Sequence, residues 1–247
     1  MTSEAIVARA VMAAAVLLGG CSLALFAAFL VLGPVVAVRF GLSQTGSLAW
    51  DVLLSVLFFA QHSGMIRASF EAQAARFIAR PYLPALYAVA SGITLLAVVL
   101  LWQPAPPSLL RLEGVPRTLA RGVSLVAVLG FAWAVRVLGR FDPFGQEALR
   151  AHVRSRPVQA PEFVARGPYL WVRHPLYFLM LVLVWSAPDV TADRLLFDLL
   201  WTAWILVGTR LEERDLVGAF GERYRRYQRE VPMLLPFWPA RSAGPPA

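Results

Sequence analysis

Lysine is missing altogether from this 247-residue chain, so all 23 of its basic side chains are arginine. The net charge of +8 is therefore carried by planar guanidinium forks, which suit anionic headgroups or an anionic ligand better than flexible ammonium groups do. Cysteine is nearly absent as well. Cys21, inside an apolar run, allows no internal disulfide and supplies too few thiolates for a zinc or iron–sulfur site, so no metal is expected. Charged residues make up only 15% of the chain against 58% hydrophobic, with a mean hydropathy of +0.62, which excludes a soluble domain of ordinary composition. No nucleic-acid partner is expected either: that role needs basic residues interleaved with exposed aromatics, and here the aromatics sit mostly inside apolar runs.

What the chain has instead is long apolar segments. A bilayer core takes about 20 apolar helical residues, because lipid offers no partner to an unpaired backbone group. Ala10 to Val38 is uncharged and too long for a signal-peptide core, so it reads as a retained helix. Leu48 to Ile66, through Gln61-His62-Ser63, is a second and more polar helix containing Asp51. Tyr82 to Trp102 is a third, and Leu119 to Leu138 a fourth, with Arg121 at its entry and Arg136 near its exit. Pro175 to Ala187 and Leu195 to Thr209 each fall short of a full span and read as a tight hairpin.

The fold class expected is all-α: a multi-pass transmembrane helical bundle of about six helical passes, the last two a tight hairpin, with a cytoplasmic C-terminal helix. Residues 1–247 are expected to form a single integral membrane domain, with an N-terminal four-helix part at 1–138, a C-terminal core at 139–240 and a disordered tail at 241–247. With the N-terminus inside, the cytoplasmic loops receive 17 arginines and the outer ones five, which favours N-in and C-in. Residues 139–174 and the chain from Arg210 onward then share one face, where any chemistry is expected.

Three polar features lie on that face. In Arg173-His174-Pro175-Leu176-Tyr177 the proline fits the first turn of a helix, with His174 at the N-cap. The helix N-terminus and Arg173 together make an anion site; the alternative reading is an interfacial anchor. Arg210-Leu211-Glu212-Glu213-Arg214 leaves the last apolar segment, and its glutamates pair either with neighbouring arginines or with a cationic ligand. If the hairpin returns them beside Arg173 and His174, the two features form a receptor for a zwitterion such as an amino-acid group. The third is the tail from Phe220 to Pro232, with Tyr224 and Tyr227 on one helix face beside a stripe at Arg223, Arg226 and Arg229; alone it reads as a helix drawn to anionic membrane lipids. Elsewhere, His62 reads as a histidine hydrogen-bonded to a neighbouring helix, His152 as facing water, Asp51 as paired or snorkelling near the outer boundary, and Asp142 as a turn cap.

Arg173-His174-Pro175-Leu176-Tyr177, Trp185, Glu212-Glu213, Phe220-Gly221, Tyr224, Tyr227 and Val231-Pro232 together resemble the integral-membrane methyltransferases typified by isoprenylcysteine carboxyl methyltransferase and the phospholipid methyltransferases. Gln61-His62-Ser63, Met65, Arg67 and Leu211 to Leu216 look more like the bacterial methanethiol S-methyltransferase branch, extending the likeness over most of the chain. The resemblance implies S-adenosyl-L-methionine as methyl donor, a small thiol or lipid-like acceptor, and a place in the bacterial inner membrane with the active site on the cytoplasmic face. It makes 139–240 the cofactor-binding core. By position the cofactor contacts implied are Pro161, Glu162, Phe163, Val164, Tyr169, His174, Pro175, Leu176, Tyr177, Glu212 and, next to it, Glu213.

Departures from the pattern bear on the acceptor. The arginine that holds a substrate carboxylate in the isoprenylcysteine enzymes, four residues before the first glutamate, is Gly208 here. The glycine usual two residues after the motif tyrosine is Leu179, and Glu230 replaces a basic residue before Val-Pro. Against the thiol-methylating branch, Tyr177 and the stretch after Phe144-Gly145 diverge. The catalytic expectation is that Arg173 or Arg210 steadies an anionic substrate, Tyr177 shapes the site and His62 assists deprotonation, with a lipid or prenylcysteine acceptor as the alternative. A rival from another class is a non-catalytic haem or redox-associated membrane protein with His62 and His174 as axial ligands. A small transporter is disfavoured by the lack of an internal repeat.

Overall fold

The computed structural model describes residues 3–105, 108–139, 141–158, 163 and 165–236. The tail expected to be disordered, 241–247, and the expected contacts Pro161, Glu162 and Val164 lie outside the described residues.

The helices are α1 (Ser3–Leu32), α2 (Gln44–Met65), α3 (Ala68–Ala74), α4 (Leu83–Leu101), α5 (Gly114–Leu138), α6 (Gln146–Val153), α7 (Pro175–Trp185), α8 (Ala192–Phe220) and α9 (Glu222–Glu230). Short 3-10 turns occupy Arg80–Tyr82 and Gly167–Leu170. Two short strands, β1 (Ser108–Arg111) and β2 (Asp189–Thr191), form a two-stranded sheet that the apolar pattern did not signal. The protein is a helical, multi-pass membrane protein: α1, α2, α4 with its preceding turn, and α5 are long and apolar enough to cross a bilayer. α7 is shorter, at 11 residues. The first helix ends at Leu32, short of the Val38 expected, where Gly33-Pro34 removes a donor and breaks the ladder.

The described chain divides into two compact units, interleaved in sequence. The first holds Met1–Leu109, Asp142–Ala160 and Val190–Leu200. Its spine is the crossing of α1 and α4, where the backbones approach so closely that a Cβ added at Gly92 would lie 2.8 Å from the Leu18 carbonyl carbon. Small residues at such a crossing replace side-chain bulk with backbone contact, as helix pairs in membranes do. Ala8, Ala15, Ala85, Ala88 and Leu149 continue the seam. Phe29 and Phe197 pack at 5.2 Å, with Trp102 5.5 Å from Phe197.

Within this unit several sequence readings meet their geometry. Asp142 Oδ2 accepts from the Glu147 amide at 2.6 Å, so it is a turn cap. His62 is half-buried, with the Tyr87 hydroxyl of α4 2.8 Å from Nε2. His152 meets Glu4 at 2.9 Å rather than facing water alone. Asp51 does not snorkel and meets no arginine among the described residues: it is fully buried and accepts from the Gln103 amide at 2.9 Å.

The second unit holds Leu110–Phe141, Pro161–Asp189 and Trp201–Ala247. α5 packs on α7, the Ser124 and Ser186 hydroxyls bonding at 2.8 Å at one end and the Arg166 guanidinium donating to the Val137 carbonyl at the other. Arg117 grips Asp189 through two bonds of 2.9 and 2.8 Å.

Gly92→Val is expected to destabilise the detergent-solubilised protein by about 1–3 kcal/mol, because the new side chain overlaps backbone that cannot give way. Gly64→Ala, at a position with nothing within 4 Å, is the control and should leave the midpoint unchanged. Thermal unfolding followed by size-exclusion chromatography distinguishes the two.

Candidate functional site

The site is built from the start of α7, the foot of α8, and α9, all within the second unit. Gly167-Pro168 opens a 3-10 turn, the chain bends through Arg173, and Pro175 starts α7 with His174 at the N-cap position. The proline is tolerated there because that N–H has no partner inside a helix. The backbone amides of Arg173 and His174 donate outward, to the carbonyls of Pro232 at 2.9 Å and Met233 at 3.1 Å. The tail after α9 thus lies along the entrance to α7.

α8 runs straight on from its apolar part into Glu212 and Glu213 and ends at Phe220. Gly221 then adopts φ +57°, ψ −132°, a backbone region open essentially to glycine, and reverses the chain into α9. Tyr224 and Tyr227, one turn apart, are buried, with Phe163 ringed by Phe220, Tyr224 and Tyr227 at 5.3 to 6.1 Å. Arg223 lies 4.7 Å over the Phe163 ring, and Arg225 and Arg226 face solvent. The stripe expected of a lipid-facing helix is present, but its tyrosines are core.

The centre of the site is Glu213. Its Oε1 accepts from Arg173 Nε at 2.8 Å, His174 Nε2 at 2.7 Å and the Tyr224 hydroxyl at 2.7 Å. Oε2 accepts from Arg173 at 2.8 Å and from the Gln228 amide at 2.5 Å. The remaining Arg173 nitrogen donates to the carbonyls of Gln228 at 3.2 Å and Val231 at 2.5 Å. Both side chains are about nine-tenths buried. Burial by itself would raise the Glu213 carboxyl, but the bonds from His174, Arg173, Tyr224 and Gln228 outweigh it and hold the group far below the ordinary glutamate range. The Tyr224 hydroxyl is pushed up by burial and by its bond to Glu213. The Tyr227 hydroxyl donates to the Tyr169 carbonyl.

Glu212 is placed differently. Its Oε2 is buried without a hydrogen bond among the described residues, 3.9 Å from His174 Nδ1. The Tyr169 hydroxyl is likewise buried and unbonded, and is pushed up by burial, with charge from the Tyr227 and Glu212 side adding to the effect. The Tyr177 ring stacks on His174 at 5.6 Å and 24°. His174, Tyr177, Tyr169 and Glu212 therefore converge on one niche, with Pro175 and Leu176 in the helix turn behind it. Arg173 and Glu213 stand behind them and are spent on each other. Arg210 is exposed and makes no ion pair among the described residues. His62 belongs to the first unit. Sequence reasoning left Tyr224, Gln228 and the carbonyls of 231–233 out of the site, although Tyr224 and Val231-Pro232 are among the residues that carry the resemblance; the spacing of Tyr224 and Gln228, which places them on adjacent turns of a helix, was a second signal.

No protein-family model and no solved structure matches the chain. Several bacterial proteins named Methanethiol S-methyltransferase do. That of Pseudomonas sp. (strain GM41(2012)) is 38% identical over 75% of this chain and 72% of its own length, and that of Pseudomonas deceptionensis 39% identical over 79% and 75%. Nurim of Rattus norvegicus is 28% identical over 78% of this chain and 74% of its own length.

Glu213→Gln leaves the Arg173 guanidinium buried without a counter-charge and is expected to cost about 3–5 kcal/mol. Acid titration separates this from a packing defect. A carboxyl held below its ordinary value of 4.5 contributes stability that is complete above that value and lost as pH falls toward the folded-state value. The unaltered protein should therefore lose stability below roughly pH 4.5, and the variant should lack that component.

Proposed function

This chain belongs to the methanethiol S-methyltransferase family, and from that premise we propose that it transfers a methyl group from S-adenosyl-L-methionine to the sulfur of a small thiol such as methanethiol. The coarser statement, that it is a membrane methyltransferase, follows from the relatives and the apolar helices together.

The observation that carries the donor assignment is the buried, unbonded Oε2 of Glu212. A carboxylate oxygen withdrawn from water without a partner is costly, and a cationic donor of hydrogen bonds relieves that cost. The ammonium of an amino-acid group is such a donor. Its carboxylate is answered by the opposite feature a few residues away, the N-terminus of α7, whose first-turn N–H groups and dipole favour negative charge. The residues present thus fit S-adenosylmethionine, with Glu212, Tyr169, His174, Pro175, Leu176 and Tyr177 as its holders. When bound, it supplies a methyl group activated on a sulfonium sulfur. The chain's part is to orient, to exclude water and to keep the acceptor sulfur in line. Arg173 acts by holding Glu213, not by meeting substrate, while the exposed Arg210 is the guanidinium available to an anionic acceptor.

A small thiol is favoured over a prenylcysteine carboxyl because Gly208 leaves no clamp for a carboxylate. The topology we propose is about six passes, N-in and C-in, in the bacterial inner membrane, with the α7 entrance and α9 on the cytoplasmic side, where the arginines gather.

Purified protein incubated with methyl-labelled S-adenosylmethionine and a panel of methanethiol, sulfide, prenylcysteine and phosphatidylethanolamine should label methanethiol first; label on the lipid or prenylcysteine alone sinks the thiol assignment. Glu212→Gln should weaken donor binding by roughly 10- to 100-fold in calorimetry, the loss of one charge-assisted bond, and unchanged affinity would remove Glu212 from the site.

A further inference from the structure

Where a spanning helix leaves the hydrocarbon layer, tryptophan is favoured, because its large ring prefers an apolar setting while its N–H prefers a polar one. α5 is long and apolar enough to span and ends at Leu138, while α7 begins its apolar run at Pro175. Arg166, just before the turn that leads to α7, donates to the Val137 carbonyl at the end of α5, so both helices meet the same boundary of the bilayer. At this boundary the second unit carries an uncovered aromatic face. Trp133 of α5 is 42% exposed and Trp171 is 61% exposed, their rings packed edge to face at 5.3 Å, and Leu170 is exposed as well. We propose that this face binds one anionic phospholipid, its phosphodiester held by Arg136 and Arg166 and its glycerol and first methylenes lying on Trp133 and Trp171. The site does not depend on methyl transfer, and neither reading falls with the other.

The turn before α7 is built with two sides. Pro168, Tyr169 and Val172 are buried, whereas Leu170 and Trp171 are turned out. Gly167, at φ +58°, lets this turn press on α5: a Cβ added there would lie 3.2 Å from Val137 Cγ2 and 3.6 Å from Trp133 Cζ2. The close approach holds the two tryptophans together as one platform. Arg136 follows Trp133 by three positions, so the two side chains are neighbours on the helix surface. It is exposed and makes no hydrogen bond or ion pair among the described residues. Arg166 uses Nε and Nη2 on the Val137 carbonyl and keeps Nη1 without a partner among the described residues. The last carbonyls of a helix repel an anion, and the Arg166 contact offsets that repulsion at the point where a phosphate would approach.

Two guanidiniums beside a phosphodiester form charge-assisted bonds, and a headgroup with no cation of its own suits them best. A choline or ethanolamine headgroup brings a like charge toward the same arginines. An inorganic anion would leave the tryptophans unused, and their exposure is what ties the charge to an amphiphile.

The test mixes the detergent-purified full chain with phosphatidylglycerol and phosphatidylcholine of matched acyl chains and reads retained lipid by native mass spectrometry. Phosphatidylglycerol is expected to bind about 5- to 30-fold more tightly, roughly fivefold for each arginine near a headgroup. Equal retention of the two lipids overturns the proposal, and this comparison uses the unaltered protein, so it stands whether or not any variant folds. Arg136→Gln should lower the preference about fivefold. Arg225→Gln removes the same charge from the exposed side of α9 and should leave the preference unchanged; an equal loss in both variants would mean diffuse charge and no site. Trp171→Ala should weaken retention of both lipids together, and unchanged retention removes the aromatic platform. Inorganic phosphate should not displace the lipid at about tenfold excess over it, and displacement would make this a simple anion site.

Discussion

A guanidinium and a carboxylate taken out of water together must be satisfied completely or not at all, and the bonding of Arg173 to Glu213 meets that demand from four directions. Arg173 comes from the turn before α7, Glu213 from the foot of α8, Tyr224 and Gln228 from α9, and two carbonyls from α9 and the segment after it. Each of these elements would be free to drift without the pair. α9 is too short and too charged to hold itself in place by apolar burial, and its two tyrosines and one glutamine are what tie it down.

The adjacent glutamates show how one position of helix twist separates structure from chemistry. Successive residues on an α-helix point about 100° apart. Glu213 turns toward Arg173 and is consumed; Glu212 turns toward His174 Nδ1 and keeps a buried oxygen unbonded. His174 links them, bonding to the first and facing the second. The charge of the pair is answered internally, so what is left for a ligand is the buried oxygen of Glu212 and the hydroxyl of Tyr169, a set matched to a cation.

Much of this was legible in the chain. The long uncharged runs announced their helices because hydropathy over a span-length window is a strong signal, and the juxtaposition of His174 with the glutamates followed from reading α7 and α8 as a hairpin. What could not be read was which partner each charge would choose. In sequence the glutamates were paired with Arg210 or Arg214, and Arg173, assigned to an anionic ligand, is the partner Glu213 takes; only the turn at Gly221 brings Tyr224 and Gln228 to bear on it. The arginines of α9 dominated its pattern and hid the burial of its tyrosines against Phe163. Asp51 was misjudged because a carboxylate in a helix is expected to seek a cation, whereas here it accepts from a loop amide. The strands at 108–111 and 189–191 are too short to leave a periodic trace.

The amides of Arg173 and His174 reach for carbonyls at 232 and 233, some sixty positions further along the chain. During synthesis those carbonyls are made only after α7 and α8 are complete. The entrance to α7 therefore stays unfinished until the chain has passed position 233, and a nascent chain halted before this point would carry both helices with the amides of Arg173 and His174 still lacking these acceptors.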